Sequence, residues 1–204
     1  MSKTYMVEIQ GKGKHKELWI NDAYICPLND FLILKYKLHN GDMEIIDLAE
    51  IIDDCANTIG FEKAVDYIAK GMKTTRQVRD YLKDDIYSRV IDQIVDKLND
   101  YGYLDDTKYA HMFIEQNGKK YGKNKLKMQL INKGISSSVV REVLEEFSSG
   151  ETLINYASKF MKNKEINQQN LAKLSRHLYS KGFTYEEIKQ AISKIKGGED
   201  ESWY

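Results

Sequence analysis

Leu126-Lys-Met-Gln-Leu130-Ile-Asn-Lys133-Gly134-Ile135-Ser136 returns 48 residues later as Leu174-Ser-Arg-His-Leu178-Tyr-Ser-Lys181-Gly182-Phe183-Thr184. At the same offset Val140, Val143, Leu144 and Phe147 are answered by Ile188, Ala191, Ile192 and Ile195. Apolar residues at steps of three and four mark one face of a helix, and agreement at a fixed period marks a repeat architecture. Each copy reads as a helix, a glycine that ends it, and a second helix. Gly134 and Gly182 suit the left-handed position just past a helix C-terminus. Thr184-x-x-Glu187 is a capping box, with Phe183 and Ile188 placed as a hydrophobic staple, and Ile135, Ser136 and Val140 repeat the staple without the glutamate.

Working outward, Ala64-x-x-Tyr67-Ile68 recurs as Ala110-x-x-Phe113-Ile114 and Ala157-x-x-Phe160-Met161, at steps of 46 and 47. This adds a leading helix to each copy and reveals a third copy. Val78, Leu82, Ile86, Ile91, Ile94, Val95 and Leu98 complete the first copy, one residue short where the others carry glycine. Asp85 and Tyr87 stand near that point, so its turn must differ. The expected organisation is an N-terminal β-hairpin plus short helices over 1–58, three-helix repeats over 59–104, 105–150 and 151–198, and an acidic tail over 199–204. A unit of about 47 residues buries little surface alone, so neighbours should pack in series. Three units of roughly 24 Å each predict an elongated array of about 70 Å.

The N-terminal part reads differently. Tyr5–Gln10 and Glu17–Ile20 are rich in aromatic and β-branched residues, and Gly11-Lys-Gly-Lys14 and Asn21-Asp22 supply turns before Tyr24-Ile-Cys26. A β-hairpin or three-stranded sheet fits. Asn29 or Asp30 then caps a short helix to about Tyr36, and Asn40-Gly41 is expected to end it. The only proline is Pro27, which leaves the rest free for helices. The fold class is therefore mainly α: tandem three-helix repeats with a small N-terminal β element.

With 42% apolar residues among 204, the chain has material for a real core. The apolar run at Phe31–Leu34 stops after four residues, so no membrane segment is expected, and the N-terminus lacks the pattern of an export signal. Cys26 and Cys55 have neither zinc-site nor redox-motif spacing and are expected as free buried thiols. Asp105-Asp106 before the helix of Ala110 reads as a cap rather than a metal site. Gly11-Lys-Gly-Lys14 lacks the ending of a phosphate-binding loop, and His15, His39, His111 and His177 are dispersed. No nucleophile, base and orienting group stand at interpretable spacing, so no enzyme, no metal and no cofactor are expected.

Charge is zero in total, 31 basic against 31 acidic side chains, but unevenly placed. Residues 1–60 hold 6 basic and 10 acidic groups, 61–198 hold 25 and 18, and the tail has three acids and no base. Acid-free stretches recur at Tyr67–Arg79, Gln116–Arg141 and Ile166–Tyr185, each around the second helix of a repeat. A basic stripe that follows phosphates or an acidic partner surface is the expected binding feature.

Lys63-Ala-Val-Asp-Tyr-Ile-Ala69, Val78-Arg-Asp-Tyr-Leu82, Leu98-Asn-Asp-Tyr-Gly-Tyr-Leu-Asp-Asp-Thr-Lys-Tyr-Ala110 and Leu130-Ile-Asn-Lys-Gly-Ile135 together resemble the RecX family of RecA recombinase regulators. The resemblance is specific over residues 60–197 and looser before them. It departs at Lys70-Gly-Met-Lys73, where the family usually has an arginine-rich turn. The resemblance implies a curved, all-helical array that lies in the groove of the RecA filament on single-stranded DNA. It also implies suppression of ATP hydrolysis, coprotease function and strand exchange, and with them regulation of recombination, DNA repair and the SOS response in the cytoplasm. Contacts with RecA, and secondarily with DNA phosphates, are expected from Arg76, Arg79, Lys119, Lys120, Lys123, Lys125 and Lys127, with Arg176 and Lys181 beside them, in a monomer. The alternative is a helical module that binds DNA or RNA directly.

Overall fold

The computed structural model describes residues 3–12 and 15–197, and the chain divides into two units, Met1–Leu104 and Asp105–Tyr204. Gly13 and Lys14 of the first turn, Gly198 and the acidic tail 199–204 lie outside the described residues.

Unit 1 begins with strands β1 (Lys3–Lys12), β2 (His15–Ile20) and β3 (Ala23–Leu28), helix α1 (Asp30–Lys35) and strand β4 (Gly41–Ile45). The sheet is antiparallel throughout, in the order β3-β2-β1-β4. Asn21 and Asp22 are both left-handed, at φ 49° and 65°, as a two-residue turn between twisted strands requires, and the Asn21 carboxamide accepts from Met6 N at 3.0 Å. The expected hairpin or three-stranded sheet thus has a fourth strand. Gly41 does not end the helix: Lys37, at φ 51°, takes the left-handed position, with Leu38 N donating to Ile33 O at 2.9 Å. Residues 41–45 then alternate between the sheet's faces and pair with Lys3–Val7, with Ile45 in the core.

Helix α2 runs unbroken from Leu48 to Ala69, so the expected boundary between 58 and 59 falls inside it. Its first half sends Ile51 and Cys55 into the sheet's core with Val7, Leu18, Leu28 and Leu32. Its second half sends Ala64 into a different core with Val78, Leu82, Val90, Ile94 and Leu98, contributed by α3 (Thr75–Leu82) and α4 (Ser88–Asp100). One helix therefore serves the sheet and the first three-helix repeat. Thr74 and Gln77 form a full capping box at the start of α3, whereas Tyr87 begins α4 with no side-chain cap. Between these helices Ile86 N reaches Leu82 O at 2.9 Å, and no residue from 83 to 87 is left-handed. The first repeat turns without the glycine of the others.

Unit 2 holds α5 (Asp106–Asn117), α6 (Lys123–Asn132), α7 (Ser137–Glu145), α8 (Gly150–Met161), α9 (Gln168–Ser180) and α10 (Tyr185–Gly197). They form two trios, one cored by Ala110, Leu126, Leu130, Ile135 and Val140, the other by Ala157, Leu174, Leu178, Phe183 and Ile188. Gly134 and Gly182 have φ of 92° and 88°, and Ile135 N and Phe183 N reach back to Leu130 O and Leu178 O. Both helices end in the same two-bond turn, Gly134 N and Gly182 N donating to Ile131 O and Tyr179 O. Thr184 and Glu187 exchange the bonds of the capping box, at 2.7 and 3.2 Å. Asp105 caps α5 through Lys108 N at 2.8 Å.

Candidate functional site

The α5–α6 loop and the first turns of α6 carry Lys119, Lys120, Lys123, Lys125 and Lys127 on a backbone held by the third repeat. Gly122, the residue before α6, donates its N–H to Lys181 O at 2.9 Å, and Asn124 N donates to Gly182 O at 2.9 Å. Two free donors at the start of α6 are thereby met by carbonyls at the end of α9. The approach requires glycine on both sides. A Cβ on Gly122 would lie 2.6 Å from backbone atoms of Gly182 and Phe183, and one on Gly182 would lie 2.3 Å from Lys125 Cβ. Thr152 Oγ1 donates to Gly118 O at 2.9 Å and Tyr156 OH to Lys120 O at 3.2 Å, so α8 fastens the same loop.

The lysine side chains lean on aromatic rings. Lys125 Nζ stands 4.9 Å from the Tyr121 ring centre and Lys181 Nζ 5.2 Å from that of Tyr156. Such contacts are worth about 0.5–1 kcal/mol at exposed sites and leave the charge facing water. Lys119, Lys120 and Lys127 are exposed. Among the described residues no carboxylate pairs with any of the five α5–α6 lysines. Lys123 and Lys127 also line a depression with Arg141 of α7, bordered by Glu145. Arg141 was not among the expected contacts, although it closes the acid-free run; its position on the following helix is what places it beside α6.

The structure thus brings Lys119, Lys120, Lys123, Lys125, Lys127 and Lys181 to one joint between repeats. Arg176 lies on α9, where its Nε donates to Ala172 O at 3.4 Å. Arg76 and Arg79 lie on α3 in the other unit, Arg76 exposed and Arg79 bound to Asp92 of α4. Arg79 is committed to a partner within the fold, unlike the lysines of α6.

What this surface can do chemically is attract anions. The shifted titrations lie elsewhere. Burial, followed by a hydrogen bond to Asp54, pushes Tyr36 up to about 12. The Cys55 thiol donates to the Cys26 sulfur, which lowers Cys26 and, together with burial, raises Cys55. Both cysteines are free and buried. No group of three or more metal-ligating side chains occurs among the described residues, and no described helix is long and apolar enough to cross a membrane.

A small antiparallel sheet leading into three-helix repeats, joined in unit 2 by glycine-to-glycine backbone contact, defines a tandem helical-repeat protein with exposed lysines at that joint. Residues 105–144 match the family model described as the second three-helix domain of RecX, and residues 151–192 match the third. A regulatory protein RecX of Clostridium tetani is 31% identical over 205 residues, covering 96% of this chain and 95% of the relative. One from Streptococcus gordonii is 32% identical, covering 96% and 79%, and one from Bacillus subtilis is 27% identical, covering 97% and 79%. The chain belongs to the RecX family. A crystal structure of regulatory protein RecX shares the fold with a TM-score of 0.69 at 20% identity, covering 95% of this chain and all of that one. A second, of RecX from Lactobacillus salivarius, shares it with a TM-score of 0.66 at 23% identity over 69% of this chain and 97% of that one.

Proposed function

We propose that this chain is a non-enzymatic, cytoplasmic regulator that binds the RecA filament on single-stranded DNA as a monomer and inhibits its ATPase, coprotease and strand-exchange activities. Membership of the RecX family across nearly the whole chain carries this reading. The lysines around the α6–α9 joint, Lys119, Lys120, Lys123, Lys125, Lys127 and Lys181, are its principal contacts, with Arg76, Arg79 and Arg176 in lesser roles. Among the described residues no carboxylate pairs with the ammonium groups of these lysines, so binding an acidic surface or a phosphate breaks no ion pair described there.

ATP hydrolysis by RecA assembled on single-stranded DNA tests the reading. The protein is expected to suppress hydrolysis at equimolar ratio. A variant with Lys119, Lys120, Lys123, Lys125 and Lys127 all changed to Gln should need about tenfold more protein for the same effect, by loss of charge complementarity. An unchanged hydrolysis rate with the parent protein overturns the function, and equal potency of parent and variant overturns the contact surface.

These lysines also suit a second reading, direct binding of DNA or RNA. It predicts a measurable affinity for bare single strands whose logarithm falls with log salt by roughly 0.7 per phosphate contact. A salt-insensitive complex with RecA and negligible affinity for bare strands excludes it.

A further inference from the structure

Helices α1, α2 and α4 of unit 1 border a pocket of about 390 Å³, a size within the range of small-ligand sites, roughly 300–1,000 Å³. Its apolar lining is Phe31, Phe61 and Ile94. Ile94 is buried, whereas Phe31 is 62% exposed although the next residue, Leu32, is fully buried. Phe31 thus offers a ring face to the pocket's occupant. Four charged groups line the pocket as well, and three are already engaged. Lys35 pairs with Asp54, which also accepts from Tyr36 OH at 2.6 Å, and Glu62 accepts from Asn29 Nδ2 at 2.8 Å. The fourth is Lys97, whose Nζ stands 4.6 Å from the Phe61 ring centre and 5.8 Å from that of Tyr101. Among the described residues no carboxylate pairs with it.

The remaining lining residues, Asn57, Thr58 and Gln93, are polar and uncharged. Asn57 Nδ2 donates to Asp53 O and to Gln93 Oε1, each at 3.0 Å. These bonds join the two amides and fix what they have left to offer: Asn57 Oδ1 as an acceptor and Gln93 Nε2 as a donor. No hydrogen bond among the described residues uses either atom. An apolar side chain seated here would leave both amides without a partner, and an acidic peptide would find one uncommitted cation. A nucleotide uses every feature at once. Its base stacks on an aromatic ring and carries donors and acceptors along its edge, and its phosphate meets an ammonium group. We infer that the α1–α2–α4 pocket binds a nucleotide, with the base on the Phe31 ring, the base edge against Asn57 Oδ1 and Gln93 Nε2, and the phosphate on Lys97. A free mononucleotide and one residue of a single strand share this chemistry. None of this depends on the RecA reading or on the lysines of unit 2.

The test titrates the full chain into 2-aminopurine riboside 5′-monophosphate, whose emission falls when the base stacks. Saturable quenching is expected, with a dissociation constant of about 1 mM or below. Phe31→Ala should weaken binding about fivefold or more by loss of stacking. Phe31 is exposed enough that the fold survives its truncation, which far-ultraviolet circular dichroism checks. The parent should bind the unphosphorylated riboside more weakly than the nucleotide, and Lys97→Gln should bring the two to equal affinity. Adenosine monophosphate and an oligodeoxyadenylate then compete in separate arms, and the stronger competitor per nucleotide identifies the source as free nucleotide or single strand. Absence of saturable quenching, equal affinity in the Phe31→Ala variant, or equal displacement by inorganic phosphate overturns the proposal. Loss of quenching when Lys119, Lys120, Lys123, Lys125 and Lys127 are changed to Gln overturns it too, by moving the site to unit 2.

Discussion

Gly102 in unit 1 and Gly182 in unit 2 close their helices with the same turn, at φ 69° and 88°, yet only one faces another backbone. Beyond Gly102 a Cβ would meet nothing within 4 Å, whereas at Gly182 it would meet Lys125 at 2.3 Å. The same local motif is a simple helix end in one unit and a joint between repeats in the other. Cations differ in parallel. In unit 1, Lys63, Arg79 and Arg89 hold Asp85, Asp92 and Asp53, while among the described residues no carboxylate pairs with the α6 lysines of unit 2, Lys125 standing over a ring. Unit 1 spends its charge on itself; unit 2 keeps it available.

Replacing each glycine with alanine should break this comparison most clearly. Gly102→Ala pays only for a left-handed residue, about 1 kcal/mol, measured by urea unfolding. Gly182→Ala adds a clash with backbone and the loss of two hydrogen bonds, so about 3 kcal/mol or more is expected. Faster exchange of the Gly122 and Asn124 amides in that variant would locate the loss at the joint; equal costs for the two variants would show that the joint carries no load. A smaller effect is expected at Tyr87, the uncapped start of α4. Tyr87→Ser should stabilise unit 1 by about 0.5–1 kcal/mol by supplying the missing acceptor, and a neutral result in thermal melting would mean that the ring compensates. Smallest of all, Arg79→Gln should cost about 0.5 kcal/mol of stability, as exposed ion pairs do, with little change in binding. Lys127→Gln should leave stability unchanged and lower the salt slope of single-strand binding by roughly 0.7 if phosphates are its target. The reverse pattern would interchange the roles assigned to the two units.

The three-helix repeats were readable because their signals are local: Thr184 with Glu187, Phe183 with Ile188, and a glycine at a fixed place after Leu130 and Leu178 each act within a few residues. Strand β4 was not. Its five residues carry a period-two pattern too short to stand against Asn40-Gly41, which reads as a helix stop, while the stop itself is made by Lys37, a residue with no preference for the left-handed region. Helix α2 crosses the expected boundary, and Gly60 within it accommodates Ile94, whose Cδ1 would be 2.6 Å from any Cβ there. For the site, an acid-free window registers only neighbours along the chain. It registers the lysines of α6, which share one loop and helix, and is blind to Asp92, which pairs with Arg79 from the next helix. It also stops short of weighting Arg141, which folding sets beside Lys123 and Lys127.

The joint between α6 and α9 joins an earlier helix to a later one. In a chain made from its N-terminus, the second repeat leaves the ribosome with the amides of Gly122 and Asn124 hydrated, because Lys181 and Gly182 do not yet exist. Domains folding in order of synthesis would each be finished on emergence; here the third repeat completes the second. A chain that stops before α9 ends loses more than its last helices, since the lysine loop ahead of α6 is also left without the carbonyls that hold it.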